Sequence, residues 1–392
     1  MNFDLSWILL GLPLAFVLGW LASRMDIRQM RLENQRAPKA YFKGLNYLLN
    51  EQQDKAIDAF IEAMQNDPDT AELHFALGNL FRRRGEYSRA VRVHEHLLQR
   101  ADLSDADRQR AQNGLSQDYL KAGLLDRAEE ALHRLEATPY EADARLALLS
   151  IYERARDWPQ AADIVRKLQE SGQGDFSQRL SHYLCEEAAA LAQQAQLEPA
   201  LQLLEQACAT APTAPRPWLD NARGQYRNGA ADAAWNSLTT LAAQAPQGLT
   251  LALPLLLEIA TATGREGPAI ALLRQHYAQA PSLDVVLALV QLGADPDGEE
   301  GQRCTAGDCT CSQGWLLRHL EKEPSLTIAH QWLAAQGEKA PPATVLHALE
   351  HASRPLMRYR CAACGFEARQ HFWHCPGCQS WDSYPARHVE EL

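Results

Sequence analysis

The feature that most constrains this chain is an alanine that returns every 33 to 39 residues in a similar apolar context. The successive spacings are 34, 38, 33, 39, 34 and 35 residues. The recurring alanines are Ala56, Ala90, Ala128, Ala161, Ala200, Ala234 and Ala269. Self-similarity at this period is typical of helix-pair repeats, in which one unit cannot bury its apolar face alone. The pattern therefore predicts an array of stacked helix pairs.

Glycine and proline mark the predicted helix ends. A glycine lies five residues before four of the alanines, where the two helices of a pair need a tight turn: Gly85, Gly123, Gly229 and Gly264. A proline lies twelve residues after four of them and is predicted to end the second helix: Pro68, Pro212, Pro246 and Pro281. Gly44 and Gly78 lie twelve residues before an alanine, which indicates close packing on the first helix.

From residue 39 to residue 281 this pattern resembles about seven tetratricopeptide repeats, of which the third to fifth and the seventh are degenerate. The resemblance implies an all-α superhelix whose concave side holds another polypeptide. The repeated Ala, Leu and Gly residues are assigned to packing, and the histidines of "VHEHLL" (residues 93–98) to a solvated helix face.

A transmembrane helix is predicted at residues 5–22, after a short periplasmic segment of residues 1–4. The run is uncharged, and its 18 residues would extend about 27 Å in a hydrocarbon core of about 30 Å. A core helix would seldom remain uncharged for so long. A cleaved signal peptide would begin with basic residues, whereas Asp4 is the only charged residue before this run. The basic segment at 23–38 places the following chain in the cytoplasm.

Charge and compartment limit the partners. The chain has 38 Lys and Arg against 49 Asp and Glu, a formal net charge of -11. With no long basic run beyond the juxtamembrane segment, we expect no nucleic-acid binding. A cytoplasmic location also predicts reduced thiols.

Four cysteines near the C-terminus form two CxxC pairs: Cys361, Cys364, Cys375 and Cys378. Two such knuckles can direct four sulfurs to one point, which predicts a tetrathiolate metal site in a small module at residues 355–388. Gly365 and Gly377 are expected at the tight knuckle turns, and Pro376 pre-sets the second. Two disulfides are disfavoured by the compartment, and a thioredoxin-like dithiol would use a single CxxC.

The knuckles "CAACG" and "CPGC" resemble those of rubredoxin and of zinc ribbons, although electron-carrying rubredoxins have a longer interval between their pairs. The metal is left open between iron and zinc, because tetrathiolate sites suit both. Four thiolates close the site, so His371 and His374 are interpreted as ordinary, partly exposed histidines. Phe366, Phe372, Trp373 and Trp381 are expected to give the module an apolar shell.

Residues 282–354 are predicted to be degenerate helical repeats with a flexible acidic loop, "GADPDGEEGQ". Next to it lie Cys304, Cys309 and Cys311, for which free thiols, a redox pair and a metal site all stay open. Cys185 and Cys208 are assigned to helix packing. No GxSxG, GxxxxGK[ST] or HExxH motif is present, so the sequence supports no enzyme activity.

The order of parts is more specific than any one part. An anchored, cytoplasmic tetratricopeptide body that ends in "YRCAACGF…WHCPGCQSWDSYP" resembles the lipopolysaccharide assembly protein B family of Gram-negative bacteria, over nearly the full length. The resemblance places metal ligands at Cys361, Cys364, Cys375 and Cys378. It leaves the oligomeric state open, with a dimer as one option.

The same resemblance implies an adaptor that governs lipopolysaccharide level. Such an adaptor helps a membrane-anchored AAA+ protease degrade the deacetylase that commits to lipid A synthesis, and can gather other synthesis enzymes. We expect the metal module to pack back on the repeats and fix their curvature. Two alternatives remain, an iron-loaded electron-transfer module and a zinc-ribbon nucleic-acid binder.

Overall fold

A computed structural model describes residues 71–299, 301–304 and 309–392, together with 52–66, 49–50, 46–47, 42–44 and the single positions 16 and 20. The chain divides into two compact units, residues 1–156 and residues 157–392. Among the described residues, regular structure is almost all helical. The expectation of a mostly helical protein is therefore confirmed.

The first unit contains six of the helices that the structure describes. They are α1 (Gln53–Asn66), α2 (Ala71–Arg83), α3 (Tyr87–Gln99), α4 (Asp105–Ala122), α5 (Leu125–His133) and α6 (Glu141–Ala155). Within the unit, each of α1 to α5 packs against the next helix along the chain. Ala56, Ala90 and Ala128 are fully buried, in agreement with their assignment to packing.

The second unit contains further helices and the small module at its end. Its helices are α7 (Trp158–Glu170), α8 (Ser177–Gln193), α9 (Leu197–Thr210), α10 (Pro215–Arg227), α11 (Ala231–Gln244), α12 (Leu249–Thr263), α13 (Glu266–Gln279), α14 (Leu283–Gln291), α15 (Cys309–Lys322), α16 (Leu326–Ala334) and α17 (Ala343–Ser353). Short 3-10 turns lie at Pro246–Gly248, Gly337–Lys339 and Val389–Glu391. A continuous apolar core runs from α10 to α16.

The predicted turn glycines are confirmed, because all four have left-handed backbone angles, with φ between 67° and 81°. The same position relative to the alanine is left-handed in two further repeats, at Arg156 (φ 57°) and Ala195 (φ 61°). A glycine pattern could not reveal these two turns, since neither residue is a glycine. The repeat therefore requires a left-handed residue between its helices even where the sequence does not provide the residue best suited to it.

Pro212, Pro246 and Pro281 each follow closely on the end of a second helix, as predicted, while Pro68 lies outside the described residues. Close packing at Gly78 is also confirmed, because a Cβ there would lie 2.5 Å from the ring of His94. The expectation of a solvated face at "VHEHLL" is wrong for His94, which is 1% exposed. Its Nδ1 lies 2.6 Å from Oδ2 of buried Asp118, and Arg82 donates to the other carboxylate oxygen at 2.8 Å.

The acidic loop is closed at its base by a bridge between Ala294 and Arg303. Trp315 of α15 donates its indole N–H to the carbonyl of Ala294 at 3.1 Å and holds the loop against the helices. Next to the bridge, Cys304 and Cys311 are joined in a disulfide. The helices predicted within residues 282–354 are present as α14 to α17.

Among the described residues, no single helix combines the length and apolar composition needed to cross a bilayer. A pair bent by 117°, Ala231–Gln244 with Pro246–Thr263, meets that test only when its two halves are joined. The apolar run at 5–22, predicted to be the anchor, lies outside the described residues except for positions 16 and 20.

Candidate metal centre

Two nearly identical chain reversals build the candidate site. In the first, the amide of Cys361 donates to the carbonyl of Phe366, and the amide of Gly365 donates back to the carbonyl of Cys361. The second repeats this pattern with the same offsets, from Cys375 to Ser380 and from Gln379 to Cys375. A short antiparallel hairpin, β1 (Tyr359–Arg360) with β2 (Glu367–Ala368), fixes the two ends of the first reversal.

The four sulfurs converge, as the sequence predicts. All four Sγ atoms lie within 4.8 Å of one another, and no other potential ligand of the described residues joins the group. The Sγ atoms of Cys361 and Cys378 are 3.8 Å apart, and those of Cys364 and Cys375 are 3.7 Å apart. A tetrahedral ion with metal–sulfur bonds of about 2.3 Å requires sulfur separations of about 3.8 Å. The thiols therefore fit one tetrathiolate-bound ion, and this geometry is common to zinc and iron.

The pKa values of the thiols also indicate that a cation belongs between them. Burial opposes ionisation of Cys361, but hydrogen bonding by Ser383 and by the amides of the knuckle lowers its pKa to about 6. At Cys364 the amide of Phe366 favours the thiolate, yet burial and the neighbouring sulfurs raise its pKa to about 12. Four thiolates this close cannot all ionise without a positive charge between them. The site is chemically suited to a divalent ion.

The knuckle glycines differ in their roles. Gly365 has φ 77°, so the expected tight turn is confirmed there. In the second knuckle the equivalent position is Gln379, with φ 61°, and Gly377 is not left-handed. A Cβ at Gly377 would lie 3.4 Å from Cβ of Phe366 and 3.5 Å from Sγ of Cys364, so this glycine allows the two knuckles to approach each other.

The apolar shell of the module is smaller than expected. Phe372 packs with Tyr359 and buried Tyr384 against the sulfurs of Cys361 and Cys375. Phe366 is instead 44% exposed and covers little of the site. Trp373 and Trp381 each contact a histidine of the module, and each also contacts the helices of the repeats. The module is closed partly by the repeats and not by its own residues alone.

Trp381 forms the centre of an aromatic contact with the repeats. Its ring is stacked between His374 of the module, at 4.4 Å between centroids, and His182 of α8, at 4.8 Å. Trp158 and Tyr183 meet the same ring edge-on, both at 5.9 Å. Such pairs contribute about 0.5–1.5 kcal/mol each beyond the area they bury.

A buried polar chain lies beside these rings. Asp382 accepts hydrogen bonds from Nε2 of His182 at 2.7 Å and from the amide of Gln178 at 2.9 Å. Arg216 of α10 lies 3.4 Å from Nδ1 of His182. Because a guanidinium can only donate, Nδ1 accepts in this contact and Nε2 donates to Asp382. Asp382 of the module therefore contacts α8, and His182 links it to Arg216 of α10.

The C-terminal residues attach the module to three further helices. Glu391 accepts from the first amide of α14, at Leu283, at 2.7 Å. Glu390 accepts from Leu326 and Thr327, the first amides of α16, at 2.5 and 3.1 Å. Thr250 of α12 donates to the carbonyl of Ala386 at 2.6 Å. Carboxylates favour helix N-termini because the amides there lack helical partners and carry partial positive charge.

Sequence reasoning missed these attachment residues. Asp382 belongs to no motif, and Glu390 and Glu391 contributed only their negative charge to the interpretation. A pair of acidic residues close to the chain end is a weak signal for helix capping, because it does not identify the helices it meets. The expectation for His371 and His374 is confirmed: both are half-buried, and neither belongs to the sulfur group.

The remaining cysteines do not extend the site. Cys185 and Cys208 are buried on α8 and α9, as predicted, and burial is the main reason that the pKa of each thiol is raised, to about 12 at Cys208. Of the loop cysteines, Cys304 and Cys311 are consumed by their disulfide.

Known proteins are similar both to the metal module and to the chain as a whole. Residues 359–384 match a family model described as a rubredoxin metal binding domain. Lipopolysaccharide assembly protein B of Escherichia coli strain K12 is 30% identical over 400 residues, with 99% of this chain and 100% of that protein covered. The protein of the same name from Haemophilus influenzae is 28% identical over 394 residues, with 96% of each covered.

Among solved structures, a tetratricopeptide repeat protein from Parabacteroides merdae is 14% identical with a TM-score of 0.34, and the match covers 66% of this chain and 98% of that one.

Proposed function

We propose, since this chain belongs to the lipopolysaccharide assembly protein B family, that it acts in lipopolysaccharide assembly as a membrane-anchored scaffold and not as an enzyme. The observation that carries this proposal is the correspondence over 99% of the chain and 100% of the relative, because both the repeats and the metal module are included. A match confined to the repeats would support only polypeptide binding in general.

The scaffold is proposed to control the amount of lipopolysaccharide. The repeats hold the deacetylase that commits to lipid A synthesis, or a membrane-anchored AAA+ protease that degrades it, and gather further synthesis enzymes. An anchor at residues 5–22 would keep this surface on the cytoplasmic side of the inner membrane. Confinement near the membrane raises the effective concentration of membrane partners without any new contact.

The metal is proposed to have a structural role. Cys361, Cys364, Cys375 and Cys378 would hold one zinc or iron ion, and the ion would keep the module folded. Asp382, Glu390 and Glu391 then remain placed to join helices that are far apart in the sequence. The module would thereby fix the curvature of the repeats; a truncation at Pro341 that retained full regulatory activity would refute this step.

The test is crosslinking capture from native membranes. The full-length protein is compared with a Cys361→Ser, Cys364→Ser variant, and metal content is measured on both. The expected result is recovery of a membrane protease and a lipid A enzyme by the wild type, with weaker recovery after the metal is lost. A Cys208→Ala variant controls for removing a cysteine outside the sulfur group. Wild-type protein that keeps its metal but captures neither partner would contradict the proposal.

One observation favours a second candidate, electron transfer. Two of the four thiols, Cys364 and Cys378, are exposed, so a redox partner could approach the metal site closely. This function requires stoichiometric iron that is reversibly reduced. Zinc in the natively purified protein, or iron that no reductant reduces, would rule it out.

A further inference from the structure

A cavity of about 600 Å³ lies where the metal module meets the helices of the second unit. Its helical wall comes from the start of α8, α10 and α12 and from the end of α13. Its other wall belongs to the module, at His371, Trp373 and residues 384–387. Cavities of about 300–1,000 Å³ are typical of ligand sites. The cavity is separate from the sulfur group, and neither the family match nor the proposed scaffold function assigns it a role.

The walls combine apolar surface with polar groups that have free capacity. Pro215, Pro246, Leu251 and Trp373 supply the apolar part. The exposed amide of Gln279, at the mouth, makes no hydrogen bond to any described residue. Apolar walls with a few separate amide groups suit a segment of polypeptide, whose backbone both donates and accepts.

The cation of the cavity is Arg387. This side chain is exposed and forms no ion pair within the described part of the chain. Its charge reaches His276 in the helical wall: burial lowers the pKa of His276, and Arg387 lowers it further. His276 is therefore neutral near pH 7 and does not compete with Arg387 for an anion.

A buried hydroxyl lies deeper in the same cavity. Ser282 is 2% exposed, lines the cavity, and its Oγ has no hydrogen-bond partner among the described residues. Ser282 is the N-cap residue of α14, yet its side chain makes no capping hydrogen bond to that helix. A buried hydroxyl without a partner is costly, so it favours a ligand that supplies one.

One carboxylate, Asp382, is present among the described lining residues. Its Oδ2 accepts from both His182 and Gln178, which directs part of its charge toward the helices. Arg387 is the cation among the described lining residues, and it forms no ion pair with any of them.

We propose that this cavity binds an acidic side chain of a partner polypeptide, with Arg387 pairing with the carboxylate and Ser282 supplying a hydroxyl deeper in the cavity. The identification of the ligand as a polypeptide rests on the proposed scaffold function. The requirement for an anion rests on the charges of the cavity itself.

The test uses full-length, metal-loaded protein in detergent and two pools of acetylated, amidated heptapeptides. The pools are randomised except at the central position, which is Glu in one and Gln in the other. Wild-type protein is expected to retain the Glu pool about tenfold better than the Gln pool, and less so as salt rises. Arg387→Gln should reduce this ratio to about one. The matched control is Arg369→Gln, because Arg369 is also exposed on the module but does not line the cavity.

Ser282→Ala separates ligand binding from a structural effect. Removing an unpartnered hydroxyl should not lower the thermal midpoint or the metal content, yet it should lower retention of the Glu pool by about fivefold. Equal retention of the two pools by the wild type would overturn the proposal. So would an Arg387→Gln variant that keeps the wild-type ratio, an Arg369→Gln control that loses as much, or a Ser282→Ala variant with unchanged retention.

Failure of this site and failure of the scaffold function would look different. Capture of the membrane partners without any preference for Glu would refute the cavity and leave the scaffold. A preference for Glu without capture of those partners would leave the cavity and refute the scaffold.

Discussion

The repeats of the second unit and the metal module that follows them are stabilised in different ways. In the helices, Ala234, Leu238, Leu256 and Leu273 are fully buried within one continuous apolar core. In the module, the buried apolar residues of the described chain are Cys361, Cys375 and Tyr384, and two of these carry ligand sulfurs. The helices are stabilised mainly by apolar burial, whereas a module with so small a core needs a metal and a surface to dock on.

Clusters of Arg, His and Asp occur in both units, but they have different structural roles. In the first unit, Arg82, His94 and Asp118 form a polar cluster inside the helical array. In the second unit, Arg216, His182 and Asp382 form a similar cluster, but Asp382 comes from the module. The first cluster specifies how helices pack; the second joins a module to helices that pack without it.

The largest effect should follow from removing one buried sulfur. Cys375→Ser leaves three thiolates, and structural zinc can contribute about 10–16 kcal/mol to folding of a small module. We expect loss of the metal and rapid proteolysis after residue 354, with the helices still folded. Metal analysis and limited proteolysis with mass spectrometry measure this. A module that stays protected without metal would remove the contrast between the two regions.

The next largest effect is expected inside the helical array of the first unit. Asp118→Ala should destabilise it by about 3 kcal/mol, because it leaves Arg82 and buried His94 without their common carboxylate. Chemical denaturation followed by circular dichroism measures the change. Replacing exposed, unpaired Glu258 of α12 by Ala is the control and should have little effect. Equal losses from the two substitutions would mean that the buried cluster contributes nothing specific.

Removing both terminal carboxylates should weaken docking by about 2 kcal/mol, at about 1 kcal/mol for each capped helix N-terminus. Glu390→Gln with Glu391→Gln keeps the size of both side chains and leaves the sulfur site intact. We expect faster hydrogen exchange at Leu283 and Leu326 with unchanged metal content. Unchanged exchange at both amides would show that docking depends on the aromatic contact alone.

The turn between repeat helices can be tested at a position free of steric contacts. A Cβ at Gly229 would meet nothing within 4 Å, yet φ is 81°. Gly229→Ala should therefore destabilise by about 1 kcal/mol through backbone strain only. Ala195→Gly, at the equivalent turn, should have a smaller effect, because relief of strain is offset by greater freedom of the unfolded chain. A Gly229→Ala variant with unchanged thermal midpoint would contradict this account.

The smallest effect expected is a pH dependence of docking. Burial alone would lower the pKa of His388, but Asp284 of α14, 3.3 Å away, together with Glu391 and Glu390 outweighs burial and raises it. The folded state thus binds the proton more tightly than the unfolded state. This contribution is fully present below about pH 6.5 and is lost as pH rises through the folded pKa. His388→Gln should remove this part of the profile in thermal melts between pH 5.5 and 8; identical profiles would contradict the assignment.

Much of the repeat architecture was predictable from local pattern. Each recurring alanine, the glycine five residues before it and the proline twelve after it report on neighbours within one helix pair, so a single period revealed them. The turns at Arg156 and Ala195 escaped because the backbone conformation is imposed there by packing of the flanking helices. His94 escaped because its burial depends on Asp118, 24 residues away.

The sequence by itself determined the helix-pair array and the convergence of Cys361, Cys364, Cys375 and Cys378. The array follows from spacings within each helix pair, and the convergence follows from spacings within one short segment. Only the tertiary structure decided where the module sits. Asp382 contacts His182 across 200 residues, and Thr250 contacts Ala386 across 136. The cavity beside Arg387 exists only when both walls are in place. Contacts of this kind depend on how helices and module approach one another in space, and no local periodicity encodes that approach.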